Sequence, residues 1–277
     1  MVQRSQVGVG LIGCGAIGRD MAMTIHSGDV PGARVVALFD VEDSQGTSLA
    51  SELNDPGLFH GDIDEFLDVS GLDLVVECAS GAAVRAHAER VLEKGRDLMV
   101  MSTGALLDPA LMARLSELAG AKGRKLLAPS GAIGGIDAIR AGGGLLEEVA
   151  IITTKPPEGL KGSPGFADWE GKEITAPEVI YEGPAVDGVK LFPANTNVAA
   201  TLSLAGLGPD KTKMKVIADP KAPGNVHEIE AKGSFGVMRL SFENRPHPNN
   251  PKTSYLAILS AIELLRKACT PGPQIGT

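Results

Sequence analysis

A group of regularly spaced glycines near the start of the chain could bind a nucleotide. Gly13, Gly15 and Gly18 form the pattern G-x-G-x-x-G, directly after the apolar run Val7–Ile12 and at the start of a helical pattern. Asp40 follows about 20 residues later, at the end of a second apolar run. In such a turn the first glycine permits a tight bend, the second admits the pyrophosphate, and the third lets the helix pack on the strand. The spacing therefore predicts a dinucleotide site.

The residues around these glycines indicate which dinucleotide would bind. Backbone amides of Ala16 and Ile17, at the start of the helix, are expected to face the pyrophosphate. The Asp40 carboxylate can accept hydrogen bonds from both hydroxyls of the adenosine ribose, and the acids Glu42 and Asp43 follow it, with no arginine to neutralise a 2′-phosphate. We therefore expect NAD, with NADP bound more weakly. The alternative is a glycine-rich turn without a nucleotide, in which Asp40 is an ordinary turn residue.

Two further segments of small residues follow apolar runs. Cys78, Ala79 and Ser80 come directly after Leu72–Glu77, and Ser130–Gly135 comes after a later run. In a parallel sheet both segments would lie at the carboxyl edge, where ligands bind. We expect them to line the cofactor, although the second could instead be a simple hinge.

One histidine stands out as a candidate for proton chemistry. His227 alternates with Ile229 and Ala231, so it is expected to project from the apolar face of a strand. Histidine titrates near neutral pH and suits general acid–base catalysis. A core histidine with a satisfied hydrogen bond is the structural alternative. Lys155, at the end of another apolar run, could pair with a substrate carboxylate or could simply be solvated. The spacing of the His, Cys and Asp residues fits no metal site.

The pattern of elements predicts an α/β protein of two domains. Short apolar runs alternate with helical patterns over residues 1–130, which is typical of a Rossmann domain with a doubly wound parallel sheet. Longer strands dominate 131–251, indicating a smaller α+β domain for substrate and oligomerisation, with a mainly antiparallel sheet and one short helix, Asn197–Ala205. Glu243–Pro251 is predicted to be a loop. A final helix over 252–268 is expected to pack back near the first domain.

Composition narrows the range of partners and compartments. The net charge of −8 disfavours binding to nucleic acid or to an anionic membrane. The 3 cysteines form no C-x-x-C pair, which favours reduced thiols in a reducing compartment. No apolar run reaches the length of about 18 residues needed for a membrane span, and the N-terminal run is too short and glycine-rich for a signal peptide. We expect a cytoplasmic protein.

Taken together, several motifs resemble those of one enzyme family. They occur in the same order over nearly the whole chain: GLIGCGAIG, VVECAS, PSGAIGGIDA, TTKPP, FPANTNVAATLSLAG, NVHEIEAKG and NPKTS. This set is similar to the L-aspartate dehydrogenase family. The resemblance implies oxidation of L-aspartate by NAD or NADP to iminoaspartate, which hydrolyses to oxaloacetate and ammonia. The imine could also supply quinolinate for pyridine nucleotide biosynthesis.

The resemblance also assigns individual residues. The family's active-site histidine matches His227, and two of its NAD contacts match Ala132 and Asn197. The overall build of the family is similar to that of homoserine dehydrogenase and dihydrodipicolinate reductase. Because family members are dimers or larger, the resemblance implies a homodimer or a larger homo-oligomer. The stretch 162–172 has no role in the family pattern. The alternatives are a homoserine-type or other amino-acid dehydrogenase, or a sensor that binds NAD without turnover.

Overall fold

The computed structural model describes residues 6–193, 196–248 and 250–270, without the side chains of residues 196 and 250–252. Within these residues the chain divides into two compact units. One comprises residues 6–129 together with 258–270, and the other comprises residues 130–257.

The first unit is built on a five-stranded sheet. Its strands are β1 (Val7–Ile12), β2 (Ala33–Phe39), β3 (Leu74–Glu77), β4 (Asp97–Val100) and β5 (Leu126–Leu127). Their order is β2-β1-β3-β4-β5, and every neighbouring pair is parallel. The helices are α1 (Ala16–His26), α2 (Asp43–Glu52), α3 (Ile63–Leu67), α4 (Gly81–Glu93) and α5 (Pro109–Lys122). This is the doubly wound sheet that the alternating pattern predicts.

The core of the first unit explains why its strands are mostly apolar. Val9 and Leu11 of β1 are buried beside Ile25 of α1. Strands covered on both faces by helices read as continuous apolar runs. The last helix of the chain, Tyr255–Cys269, contributes Ile258 and Leu265 to the same core. This terminal helix therefore completes the first unit from Ile258 onward.

The second unit contains a mixed sheet and a small hairpin. Its strands are β6 (Leu146–Lys155), β7 (Glu178–Pro184), β8 (Lys213–Ala218), β9 (Asn225–Gly233) and β10 (Gly236–Asn244), in the order β10-β9-β6-β8-β7. Only β6 and β8 run parallel in this sheet, so it is mainly antiparallel, as predicted. Its helices are α6 (Ile136–Gly142), α7 (Ala185–Leu191) and α8 (Thr196–Ala205), and the terminal helix Tyr255–Cys269 is α9.

One face of the second sheet carries the core of this unit. Val149 and Ile151 of β6 are buried in one cluster with Ile229 of β9 and Val216 of β8. Leu202 of α8 belongs to the same cluster. The side chains that alternate with these along the strands are more exposed, which is the pattern of a sheet covered on one face.

The expectation of a loop over Glu243–Pro251 leading directly into a helix is wrong. Strand β10 continues to Asn244, and two short strands, β11 (Pro246–His247) and β12 (Asn250–Ser254), pair as a hairpin. The backbone N–H of Tyr255 then donates to the carbonyl oxygen of Arg245 at 2.9 Å. Because strand pairing satisfies the backbone groups of β11 and β12, the terminal helix begins only at Tyr255.

Candidate functional site

The turn that joins β1 to α1 contains the three glycines of the fingerprint. Gly13 has a φ of +103°, and a Cβ there would lie 2.9 Å from the backbone nitrogen of Ala79. A Cβ on Gly18 would lie 1.9 Å from the carbonyl oxygen of Gly13. At Gly15, no heavy atom of the described residues outside its two chain neighbours lies within 4 Å of the Cβ position. Packing therefore requires the outer two glycines, and the middle one leaves the turn open to a ligand.

The start of α1 can receive an anion at this turn. Gly15 precedes the helix, and no side chain caps it. The first N–H groups of a helix have no acceptor within the helix, so those of Ala16 and Ile17 can donate to a phosphate. This arrangement fits the pyrophosphate of a dinucleotide.

Asp40 follows β2 and is held beside the fingerprint turn. Its Oδ2 accepts a hydrogen bond from the N–H of Cys14 at 2.6 Å, and its Oδ1 accepts one from the N–H of Glu42 at 2.9 Å. A carboxylate has about four acceptor positions, so both oxygens can still accept ribose hydroxyls. Asp40 therefore joins the end of β2 to the turn, a role that its spacing alone did not predict.

The segment after β3 packs against the same turn. Cys78 is buried, and its Sγ donates to the carbonyl oxygen of Gly13 at 3.3 Å. Burial raises the pKa of this thiol well above its usual range, so the thiol is neutral. Ala79 and Ser80 are exposed, and the Oγ of Ser80 caps α4 by accepting from the N–H of Ala83. We interpret Cys78 as a packing residue, while Ala79 and Ser80 face the ligand edge.

The acid that ends β3, at the predicted ligand edge, makes contacts that the sequence does not predict. Glu77 is only 2% exposed. Its Oε1 accepts hydrogen bonds from the N–H of Ala79 at 2.9 Å, the N–H of Ser80 at 2.8 Å and the Oγ of Ser102 at 2.9 Å. Its Oε2 accepts from the N–H of Ser102 at 3.0 Å. Burial raises the pKa of the Glu77 carboxyl. Its only sequence signal is an acid at the end of an apolar strand.

In the second unit, three polar side chains lie on the buried face of the sheet, which is otherwise apolar: His227, Thr153 and Lys155. His227 of β9 is 2% exposed and lies opposite Thr153 of β6 in the strand register. The Oγ1 of Thr153 and the Nδ1 of His227 are 3.0 Å apart. Lys155 lies two positions beyond Thr153 on the same buried face and is 5% exposed. The predicted projection of His227 from the apolar face is confirmed by its burial beside Ile229.

The electrostatics of this cluster are unusual for a hydrophobic face. Burial, together with the nearby positive charge of Lys155, lowers the pKa of His227 to about 4. Burial also lowers the pKa of Lys155 to about 8. No acidic side chain in the described parts of the chain pairs with Lys155. At neutral pH the site therefore combines a neutral imidazole with a buried ammonium group that has no counter-ion.

The loop predicted to contact the cofactor lies next to the strand that pairs with β9. The carbonyl oxygen of Ala132 accepts a hydrogen bond from Nδ2 of Asn244, at the end of β10, at 3.0 Å. Gly134 lies against the ring of Phe242, which is the β10 partner of His227. The loop is thus anchored to the sheet that carries the histidine. Asn197 is exposed in the first turn of α8.

The structure therefore groups the predicted residues into two sets. Gly13, Gly15, Gly18, Asp40 and the 78–80 segment lie together in the first unit. The second unit holds His227 on β9 and the Ala132 loop, which is hydrogen-bonded to the neighbouring strand β10. No group of three or more His, Cys, Asp or Glu residues in the described ranges could hold a metal ion, and no helix among them is long and apolar enough to cross a membrane.

Each half of the chain matches a known family model, and the whole chain matches known proteins. Residues 137–268 match the family model of the aspartate dehydrogenase C-terminal domain. Residues 13–129 match that of the homoserine dehydrogenase NAD-binding domain. The L-aspartate dehydrogenase of Methanosarcina barkeri is 46% identical over 97% of this chain and 99% of its own length. That of Nitrosopumilus maritimus is 43% identical over the same shares. The chain belongs to the L-aspartate dehydrogenase family.

Solved structures agree with this family. The crystal structure of aspartate dehydrogenase from Thermotoga maritima is 26% identical, with a TM-score of 0.74 over 97% of this chain and 99% of that one. A homoserine dehydrogenase from Thiobacillus denitrificans is 13% identical, with a TM-score of 0.61 over 95% of this chain and 74% of that one. At that identity the second likeness shows the fold alone.

Three long-range contacts in this L-aspartate dehydrogenase family member could not be found from sequence. Thr153 is 74 residues from its partner His227, Asn244 is 112 residues from Ala132, and Glu77 is 25 residues from Ser102. In the sequence these side chains look like any other polar residues, because their partners come close only when the chain folds. The register of β6 and β9 is the signal that would have identified Thr153.

Proposed function

We propose that the protein oxidises L-aspartate with NAD to iminoaspartate, which hydrolyses to oxaloacetate and ammonia. The carrying observation is the buried Lys155, which has no acidic partner among the described residues, beside the neutral imidazole of His227. An anionic amino acid needs both a cation for a carboxylate and a base for its ammonium group. The family membership supports the same reaction.

His227 is the proposed proton acceptor. The α-amino group must lose a proton before hydride can leave Cα, because the nitrogen lone pair assists that step. With Nδ1 held by Thr153, the Nε2 atom is the ring nitrogen left for substrate. A lone pair on Nε2 requires the tautomer with its proton on Nδ1, and Oγ1 of Thr153 can accept that proton's hydrogen bond. Thr153 thereby orients the base. Once His227 has released the amine's proton to solvent, its Nε2 can accept a second one from the water that attacks the imine.

Lys155 is the proposed partner of a substrate carboxylate. A buried ammonium without a counter-ion carries a desolvation cost, and an incoming carboxylate would offset it with a charge-assisted hydrogen bond. Such a site is left with an unpaired charge when the substrate lacks the carboxylate. We therefore expect strong discrimination against neutral side chains.

The first unit is the proposed cofactor domain. The Gly13–Gly18 turn and the start of α1 would hold the pyrophosphate, and Asp40 would hold the adenosine ribose. When bound, NAD supplies the acceptor for the hydride that leaves Cα. The acids after Asp40 support NAD over NADP, because a 2′-phosphate would meet like charges. In the second unit, Ala132 and Asn197 are proposed as further cofactor contacts.

We also propose, on the family resemblance, a cytoplasmic enzyme that works as a homodimer or larger homo-oligomer, with the second unit providing the subunit contacts. The imine that it releases would be available to quinolinate synthesis. Sedimentation of the purified protein tests the assembly, and a monomer at micromolar concentration would contradict it.

The reaction is tested by measuring NADH formation from five amino acids under identical conditions. L-Aspartate should be oxidised, whereas D-aspartate, L-alanine, L-glutamate and L-homoserine should be poor. Repeating the assay with NADP should give a lower kcat/KM. Oxaloacetate with ammonia and NADH should run the reaction in reverse. Oxidation of homoserine in preference to aspartate would refute the substrate, and NAD binding without any turnover would indicate a sensor.

A further inference from the structure

Glu77 is a buried acid that the proposed reaction does not use. Its carboxylate accepts four hydrogen bonds, from the N–H groups of Ala79 and Ser80 and from both the N–H and the Oγ of Ser102. No cation in the described parts of the chain pairs with it. Burying a carboxylate without a cation costs several kcal/mol before its hydrogen bonds offset that cost. An apolar residue at the end of β3 would avoid this desolvation cost, so stability alone does not explain why an acid lies there.

The four hydrogen bonds join two loops at one edge of the sheet. Ala79 and Ser80 follow β3, whereas Ser102 follows the neighbouring strand β4. The backbone reinforces the link, because the N–H of Met101 donates to the carbonyl oxygen of Glu77 at 3.0 Å. Ala79 also lies directly against Gly13 of the fingerprint turn. Glu77 thus fixes the surface that continues from the turn across β3 to β4.

The order of the strands indicates which part of the dinucleotide would lie at the ends of β3 and β4. The sheet runs β2-β1-β3-β4, with Asp40 at the end of β2 and the fingerprint turn at the end of β1. If the adenosine ribose binds at Asp40 and the pyrophosphate at the turn, the nicotinamide half must extend over the ends of β3 and β4. We propose that Glu77 is a positioning residue for the nicotinamide ring of the cofactor. The proposal rests on the proposed function of the first unit.

The chemistry of the side chain explains why a carboxylate is needed. Only an ionised carboxylate can accept from all four donors, because it carries acceptors on both oxygens. A glutamine of the same shape would place its NH₂ group against the N–H of Ser102, leaving two donors facing each other. The loop after β4 would then be released, while the bonds to Ala79 and Ser80 could persist.

The test compares Glu77→Gln with two other variants. Ser102→Ala removes one of the four donors and keeps the backbone N–H. Asp73→Asn is the matched control, since Asp73 at the opposite end of β3 also accepts from a strand amide, that of Gly8 at 2.8 Å. For each protein we would measure the dissociation constants of NADH and of ADP-ribose, which lacks nicotinamide. The KM for aspartate, kcat and the melting temperature complete the comparison.

We expect Glu77→Gln to weaken NADH binding about tenfold, the effect of losing roughly one charge-assisted hydrogen bond. Binding of ADP-ribose should change by less than about twofold, and kcat should fall because the nicotinamide is misplaced. Ser102→Ala should shift NADH binding in the same direction by less. Asp73→Asn should alter only the melting temperature.

Two results would overturn the positioning role. Equal weakening of NADH and ADP-ribose would mean that Glu77 merely stabilises the unit, and unchanged NADH binding would mean that the loops need no such support. If Glu77→Gln fails to fold, Ser102→Ala decides between the same outcomes. Failure of the unmodified protein to bind either ligand would instead refute the proposed cofactor site itself.

Discussion

At the scale of single residues, His227 is a buried side chain that can still accept a proton. Thr153 holds its Nδ1, and burial keeps its pKa low. If it is the base, His227→Ala should lower kcat by about 10²-fold or more while leaving the NADH dissociation constant unchanged. Thr153→Val, which keeps the ring but removes its hydrogen bond, should cause a smaller loss. A variant that melts at lower temperature yet keeps its activity per folded molecule would identify His227 as a core residue only.

The neighbouring Lys155 should control both substrate binding and the titration of His227. Lys155→Met removes the charge and keeps the buried chain, so the KM for aspartate should rise at least about tenfold. Because the Lys155 charge opposes protonation of His227, the variant should have a higher histidine pKa, moving the acidic limb of kcat/KM to higher pH. Lys213→Met, at an exposed lysine paired with Glu148, is the control. An unchanged KM in Lys155→Met would rule out carboxylate binding there.

At the scale of elements, the fingerprint turn separates glycines needed for packing from one needed for binding. Gly15→Ala adds a Cβ that meets no neighbouring atom in the described part of the chain, at a φ of −68° that alanine adopts readily. We expect this variant to keep its melting temperature and to lose NAD affinity. Gly18→Ala places its Cβ 1.9 Å from a backbone oxygen, so it should lose stability by several kcal/mol. Calorimetry and NAD titration of both variants give the comparison, and normal NAD binding by Gly15→Ala would contradict the site.

The same scale shows what the sequence could predict. Strands buried on both faces are continuously apolar, and this pattern predicted β1 and β3. A strand buried on one face alternates apolar and polar residues, and the alternation of Met214 and Val216 predicted β8. Helices α6 and α7 were missed. Each has only seven residues and contains glycine, so the helical period is too short to recognise.

The parts of the site that were missed are long-range contacts. Glycine spacing is a local property, and so is the alternation that orients His227. The hydrogen bonds of Glu77 and Thr153 depend instead on which strands become neighbours and in which register. Sequence patterns predict the strands but not their register, so these partners become visible only once the sheets are assembled.

At the scale of the whole molecule, each unit buries a charged side chain. In the first unit four hydrogen bonds compensate Glu77, whereas in the second unit Lys155 has no counter-ion among the described residues. Core charges of this kind lower the free energy of unfolding unless a partner compensates them. Enzymes commonly retain such costs where a ligand supplies the missing partner. The cost should therefore be measurable in the protein without its substrate.

The stability of Lys155→Met provides that measurement. Since burial lowers the pKa of Lys155 from its ordinary 10.5 to about 8, the ammonium form destabilises the folded state fully at pH values below 8, by about 3 kcal/mol. Removing the charge should raise the free energy of unfolding by up to this amount at pH 7. The gain should shrink as the pH rises towards the ordinary lysine pKa, where both states of the wild type are neutral. Adding succinate, a dicarboxylate that cannot be oxidised at an amine, should stabilise the wild type more than the variant and so narrow the difference. Denaturant unfolding at pH 7 and pH 9.5, with and without succinate, measures all of these effects. A variant less stable than the wild type at pH 7, or one stabilised equally by succinate, would show that Lys155 already has a partner within the folded chain.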